Sequence, residues 1–315
     1  MKPIEIKRLQ LDHVLSQDKI LFNTNNHWEN NEPPKDYKEV LTRSRTCNWV
    51  DKFHSKYHTI VLDSSDLNWM KKASKVGMIT GKFSQLFEDE LESICLKYDV
   101  QWREINEVPN TKDNDESFKG WFVRSNRVSL KEGQHGVGPY KDFNICIENP
   151  NIDRKHSTNV SGFKSIIESA TSCSPGHTFF EADDTECTIY LFPWLNLNPF
   201  KEFRIFVYEN EITAISDQHL YKVNEYFNTL SDEEIKTVIY QILEYFEENI
   251  KHKISYLGNY TMDLGFIQDT DTPYFIEPNS FGQLYAAGSA LFSWIYDTDT
   301  LHDSSTIEFR YCHEY

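Results

Sequence analysis

The sequence predicts an α+β fold. Three observations carry this: strand-like apolar runs come in neighbouring pairs, helical stripes stand apart from them, and no regular βαβ alternation joins the two. At 315 residues the chain can form one large domain or two joined lobes. Hydrophobic residues make up 39% and aromatics 14%, ample material for a core.

The elements follow in order. Residues 23–36 (NTNNHWENNEPPKD) are polar and turn-rich, an irregular surface loop. TIVL at 59–62 is a short strand. Residues 81–98 place Phe83, Leu86, Phe87, Cys95 and Tyr98 near one helical stripe. A polar loop at 108–120 leads into GWFVRS, a strand that ends on Arg124. KEGQHGVGPY (131–140) is glycine-rich without the G-K-[ST] of a phosphate loop, so it reads as a flexible phosphate-covering loop or as a plain turn. FNICI (143–147), TIYLF (188–192), FRIFVY (203–208) and ITAIS (212–216) are strands, the last two joined by a turn at YENEI. Residues 231–250 form the clearest helix, with a capping box at Ser231 and Glu234 and a stripe of Ile235, Val238, Ile239, Ile242, Leu243, Phe246 and Ile250. A hairpin follows at 260–280.

The chain carries 32 Lys and Arg against 49 Asp and Glu, a formal charge of −17. That excludes nucleic acid and anionic membranes as general partners and leaves phosphate binding to a local cationic site. No apolar run is long enough to span a membrane, and MKPIEIKRLQLDH lacks the apolar core of a signal peptide. The six cysteines, at 47, 95, 146, 173, 187 and 312, include no C-x-x-C pair. A reduced, soluble, cytoplasmic protein is expected, in a host cytoplasm if the source lives inside cells. A monomer is also expected.

The hairpin YTMDLGFIQDTDTPYFIEPNS holds the chemistry. Strand alternation puts Thr261, Asp263 and Gly265 on one face and Tyr260, Met262, Leu264 and Phe266 on the other. Phe275, Glu277 and Asn279 share a face of the second strand. A register centred on Thr270 sets Asp263 opposite Glu277, with Cβ atoms about 5 Å apart. Paired acids need an offsetting charge, and Mg²⁺ with nucleotide phosphates supplies one. The competing reading is a solvated hairpin face. His54 and His58 have the spacing of a zinc pair, but no metalloprotease glutamate accompanies them, and ordinary histidines are the stronger reading. Cys312-His313 reads as incidental. Asp217 and His219 follow ITAIS with no recognisable nucleophile spacing.

EFRIFVYENEITAIS (202–216), YTMDLGF, FIEPNSFG and LFSW together resemble the cell division cycle protein 123 family. TIVLDSSDLNWM and GWFVRSNRVSLKEG resemble its earlier segments, in the same order, over about residues 59–295. The resemblance implies an ATP-grasp-like fold with the nucleotide site between two lobes. These would be residues 1–190, with the phosphate-facing segment, and residues 191–315, with the metal-binding hairpin. It implies ATP and Mg²⁺ as cofactors, and a role as assembly chaperone of eukaryotic translation initiation factor 2 through its gamma subunit. By position it implies Asp263, Glu277 and Asn279 as metal ligands. Arg124, Lys131 and Arg204 would face the phosphates. Phe192, Pro193, Trp194 and Leu195 would lie at the adenine hinge, and Glu202 would orient Arg204 or touch ribose. The pattern departs from the family at LFPW (191–194), where two cations are lost, and at Val128-Ser129-Leu130. Residues 1–58 and 296–315 match no part of it. Two alternatives stand beside this reading: an ATP-grasp ligase joining a carboxylate and an amine on a peptide or protein, and a degenerate scaffold that binds no ATP.

Overall fold

The computed structural model describes residues 2–25, 32–107, 118–141, 143–147, 156–160, 162–174, 177–180, 184–285 and 287–314. Most of the expected loop at 108–120, and residues 26–31 of the loop at 23–36, lie outside the described residues, as does the Cys146 side chain. The described strands are β1 (Ile4–Gln10), β2 (His58–Leu62), β3 (Trp121–Arg124), β4 (Phe143–Ile147), β5 (His156–Val160), β6 (Cys187–Pro193), β7 (Leu197–Tyr208), β8 (Glu211–Asp217), β9 (Tyr260–Ile267), β10 (Pro273–Ser280) and β11 (Ile307–His313). The mixture is α+β, as the sequence predicts. Among the described residues, no helix is long and apolar enough to cross a membrane.

The chain forms two compact units, residues 1–53 with 195–315, and residues 54–194. The expected division fell at 190/191 with the N-terminus in the first lobe. The difference comes from β1, which runs parallel to β11, Ile4 beside Ile307 and Gln10 beside His313. Neither strand is evident in the sequence. Both carry charged side chains, and Glu308 and Arg310 are buried all the same.

The first unit is built on a six-stranded sheet ordered β1-β11-β8-β7-β9-β10. The β7–β8 hairpin turns on Glu209 and Asn210, both with positive φ, the geometry that matches strand twist in a two-residue loop. One face of this sheet is apolar: the Phe203 ring lies 5.9 Å from Phe227 and 6.0 Å from Phe266. On the other face Phe206 packs on Phe292 and Trp294 of the segment 287–294, at 5.1 and 5.4 Å. The helix Asp232–Tyr245 carries the expected capping box and buries Ile235, Val238, Ile239 and Ile242. It continues through a π turn at Phe246–Ile250, which keeps Phe246 and Ile250 buried.

The second unit has a three-stranded sheet ordered β2-β6-β3 and a hairpin of β4 and β5. Its core includes Ile60, Leu62, Leu67, Met70, Leu91, Trp102, Trp121, Val123, Ile189 and Leu191. The helix expected at 81–98 starts later, after a 3-10 turn at Gln85–Phe87, and a further helix that the sequence did not suggest precedes it. Ser64–Thr80 is capped by the Asp63 carboxylate and ended by Gly81 at φ 66. A second helix runs Glu88–Glu107. The first was hidden because its buried stripe includes Ala73, Ser74 and Gly77, small residues that leave no apolar period. Gly77 could not be larger: a Cβ there would meet the Thr171 carbonyl oxygen at 2.0 Å.

Candidate functional site

The acid hairpin forms in the expected register. Asp263 lies opposite Glu277, and Thr261 opposite Asn279. A bulge between Phe275 and Glu277 changes one detail. Phe275 pairs with Leu264, so it joins the apolar face rather than the face of Glu277, and its ring stacks on Phe53 at 3.9 Å. The bulge lets one strand bury a phenylalanine on one side and present two polar groups on the other.

The pairings across the sheet put six residues in a single transverse row. Lys7 is beside Arg310, Arg310 beside Ser216, and Ser216 beside Arg204. Arg204 is beside Asp263, and Asp263 beside Glu277. Residues directly opposite share a face, so the row is a continuous polar line across the sheet. Asp263 is 3% exposed and Glu277 6%.

Arg204 supplies an offset that the sequence argument had assigned to a divalent cation alone. Its Nε donates to Asp263 Oδ1 at 2.9 Å and its Nη2 to Oδ2 at 2.8 Å. This is the bidentate fork that guanidinium geometry allows. Nη1 donates to the Gly288 carbonyl at 2.8 Å. Burial opposes the Arg204 charge, but Asp263 first, then Glu277 and Glu202, hold its pKa above the usual value. Gln218, which the sequence reading passed over, donates from Nε2 to Asp263 Oδ1 at 2.8 Å. Alternation from Ser216 was the available signal, since Gln218 stands two residues further along.

The hairpin suits a hard cation. Three donors occupy Asp263, and a carboxylate has about four acceptor positions, so Oδ2 retains capacity. Glu277 brings a second carboxylate across the ladder. Asn279 Nδ2 is buried with no hydrogen-bond partner; as a donor it suits an acceptor such as a phosphate oxygen, and only the amide oxygen could meet a cation. Among the described residues no three His, Cys, Asp or Glu side chains converge as a metal cluster. Two carboxylates and an amide oxygen are the complement that Mg²⁺ takes together with phosphates.

The second unit gathers two of the other expected residues. Arg124 lies opposite Tyr190, and Phe192 opposite Phe122, so Arg124 and Phe192 share a face of β3-β6. Arg124 is 2% exposed. The His54 ring packs edge-on against Phe192 at 5.0 Å. Burial, and then the Arg124 charge, lower the His54 pKa to about 4. His58 instead meets the Trp121 ring at 5.3 Å, so the two histidines serve separate aromatic contacts rather than a common metal. Ser129 forms a bridge with Arg124 and has a buried hydroxyl without a partner. Lys131 is exposed just beyond it.

At LFPW the backbone is largely committed. Pro193 has no N–H, and Trp194 N–H donates to the Gly120 carbonyl at 2.9 Å. The chain passes from one unit to the other between Trp194 and Leu195. The glycine-rich stretch is a packed turn. Gln134 N–H donates to Ser172 Oγ at 2.9 Å and His135 N–H to Ser169 Oγ at 3.0 Å. A Cβ on Gly133, at φ 96, would meet the Ser169 carbonyl oxygen at 2.3 Å. Amides spent this way do not cradle phosphate. Glu202 is half-buried two residues before Arg204 on the same face, opposite Gly265.

A mixed α+β protein with a buried, arginine-bound acid hairpin in its larger sheet is thus defined. Residues 167–315 match the model of the D123 family. The match covers just under half of the chain, and it falls on the part that carries most of the motifs resembling the cell division cycle protein 123 family. Two solved structures of Cdc123 from Schizosaccharomyces pombe are similar at 12% identity, covering 87% of this chain and 97% of theirs. The TM-score is 0.47 for one and 0.49 for the other, a C-terminally truncated form. No curated protein matches.

Proposed function

We propose that this protein binds Mg-ATP and acts as an assembly chaperone for translation initiation factor 2, engaging its gamma subunit. The match of residues 167–315 to the D123 family model, with the sequence motifs, supports the chaperone role. The observation that carries the nucleotide half is the Arg204–Asp263–Glu277 row with the unpartnered Asn279 amide beside it. Asp263, Glu277 and Asn279 would hold Mg²⁺. Arg204 would keep Asp263 aimed, and its N–H groups not used on Asp263 and Gly288 would serve a phosphate. Bound Mg²⁺ would neutralise phosphate charge and fix the nucleotide's orientation.

Calorimetry with Mg-ATP tests this on the wild type, Glu277→Gln and Asn279→Ala. Binding by the wild type, weakened about 10-fold or more in both variants, is expected. A flat wild-type titration favours the degenerate scaffold, to which the committed backbone of Trp194 already points. Retention of the gamma subunit in a pull-down, with and without Mg-ATP, tests the partner. Release of ADP and phosphate dependent on an added peptide would instead support a ligase.

A further inference from the structure

We propose that Gln218 is a positioning residue for Asp263 and sets the affinity of the hairpin for a divalent cation. This rests on the Mg-nucleotide reading of the hairpin and assigns it a further residue. A free carboxylate swings about its terminal torsion, which has broad, roughly two-fold preferences. Arg204 grips both oxygens of Asp263, and Gln218 adds a second donor to Oδ1 alone. Oδ1 is then filled, and Oδ2 keeps its remaining acceptor position. The amide of Gln218 therefore selects which oxygen faces an incoming cation. An ionised carboxylate only accepts, so the nitrogen of that amide must point at Asp263.

Gln218 is itself held firmly. Its N–H donates to the Glu202 carbonyl at 2.9 Å. The preceding Asp217 is fully buried and accepts from the His219 N–H at 3.1 Å and from Asn224 Nδ2 at 3.0 Å. The loop after β8 is thus built to deliver one donor to the metal-facing acid. Groups that hydrogen-bond a metal-ligating side chain typically change metal affinity about 10- to 100-fold when removed.

Mn²⁺ is the probe, titrated into the full chain with and without ATP and followed by electron paramagnetic resonance. Gln218→Met keeps the length and loses the donor; about 10-fold weaker Mn²⁺ binding and an altered line shape of the bound ion are expected. Gln218→Asn keeps a retracted donor and falls between. The melting temperature of the metal-free protein should move little, which separates positioning from folding. If Gln218→Met does not fold, Gln218→Asn carries the same comparison. Wild-type affinity and line shape in the variants overturn the role of Gln218 and leave the hairpin reading standing. No Mn²⁺ uptake by the wild type overturns both.

Discussion

Two arginines stand in the same row of the same sheet, Arg310 buried and Arg204 half-buried, and they do different work. Arg310 donates from Nε to Glu308 at 2.5 Å, and from Nη1 and Nη2 to Asp297 at 2.9 and 2.6 Å. Its guanidinium lies over the Phe292 ring at 4.0 Å, and Lys7 pairs with Glu308 from the edge strand. Two cations and two acids close on one another. Arg204, two strands away, forks onto Asp263, with a second acid opposite and the Asn279 amide nitrogen without a partner. Each arginine also donates to a carbonyl of the segment that covers this face, Gly288 for Arg204 and Leu291 for Arg310. The same residue type in the same row thus closes a structural cluster at one end and holds an acid in place, with acceptor capacity remaining, at the other.

The largest effects come from breaking either cluster. Arg310→Leu strands Glu308 and Asp297, and removing one partner of a buried ion pair costs about 3–5 kcal/mol. A urea midpoint should fall accordingly, with Mg-ATP binding by the folded protein unchanged. Asp263→Ala strands Arg204 and should cost a similar amount. Lost binding in that variant is therefore ambiguous unless its folded fraction is measured alongside. Equal stability of Asp263→Ala and wild type would show that Arg204 relaxes to solvent, and the comparison would collapse.

A smaller and more discriminating pair neutralises one acid in each cluster. Glu308→Gln removes the charge that serves both Arg310 and Lys7, a loss of about 1–3 kcal/mol. Glu277→Gln removes one of two facing carboxylates, so like-charge repulsion is relieved. Its stability should stay within about 1 kcal/mol of wild type, or rise, while Mg-ATP affinity falls. Chemical denaturation and calorimetry on both variants read this directly. A reversed pattern would make the hairpin acids structural.

Much of the site was legible in the sequence because its cause is local. Two-residue alternation and the spacing across the turn fix which side chains of 260–280 meet, so the Asp263–Glu277 pairing follows without knowing the fold. The bulge that turns Phe275 inward is not encoded in that alternation, so its face was misassigned. Arg204 was read as a phosphate contact through family likeness, but its grip on Asp263 depends on β7 lying beside β9, a long-range pairing. β1 and β11 were illegible for the reason that makes the Arg310 cluster stable. Charged side chains that satisfy one another inside a fold look, in a linear pattern, like surface. The glycine-rich stretch stood open between a phosphate-covering loop and a plain turn, and the turn is what forms: Gly133 packs against Ser169, and Gly133, Gly136 and Gly138 take positive φ.

The smallest expected effect is a pH dependence confined to the Arg204 end. Histidine is the side chain that titrates near neutrality, and the Arg310 cluster of Lys7, Glu308, Arg310 and Asp297 contains none. The loop that carries Gln218 ends in His219, whose Nδ1 lies 3.2 Å from Asp217 Oδ1. The hydrogen bond to Asp217 raises the His219 pKa. Burial and Lys222 oppose the rise, and Glu202 adds to it. A histidine whose folded pKa is raised contributes stability that is fully present below its unfolded value, about 6.5, and lost as pH rises through the folded value. His219→Gln should therefore be less stable than wild type below about pH 6, by under about 1 kcal/mol for so partly exposed a pair. The gap should close in alkaline solution. Because this loop delivers the donor to Asp263, Mn²⁺ affinity at a fixed pH should follow the same histidine, whereas the Arg310→Leu stability loss should be flat across that range. A gap between wild type and His219→Gln that widens with rising pH would mean that Asp217 holds the imidazole neutral, and the loop would lose its electrostatic latch.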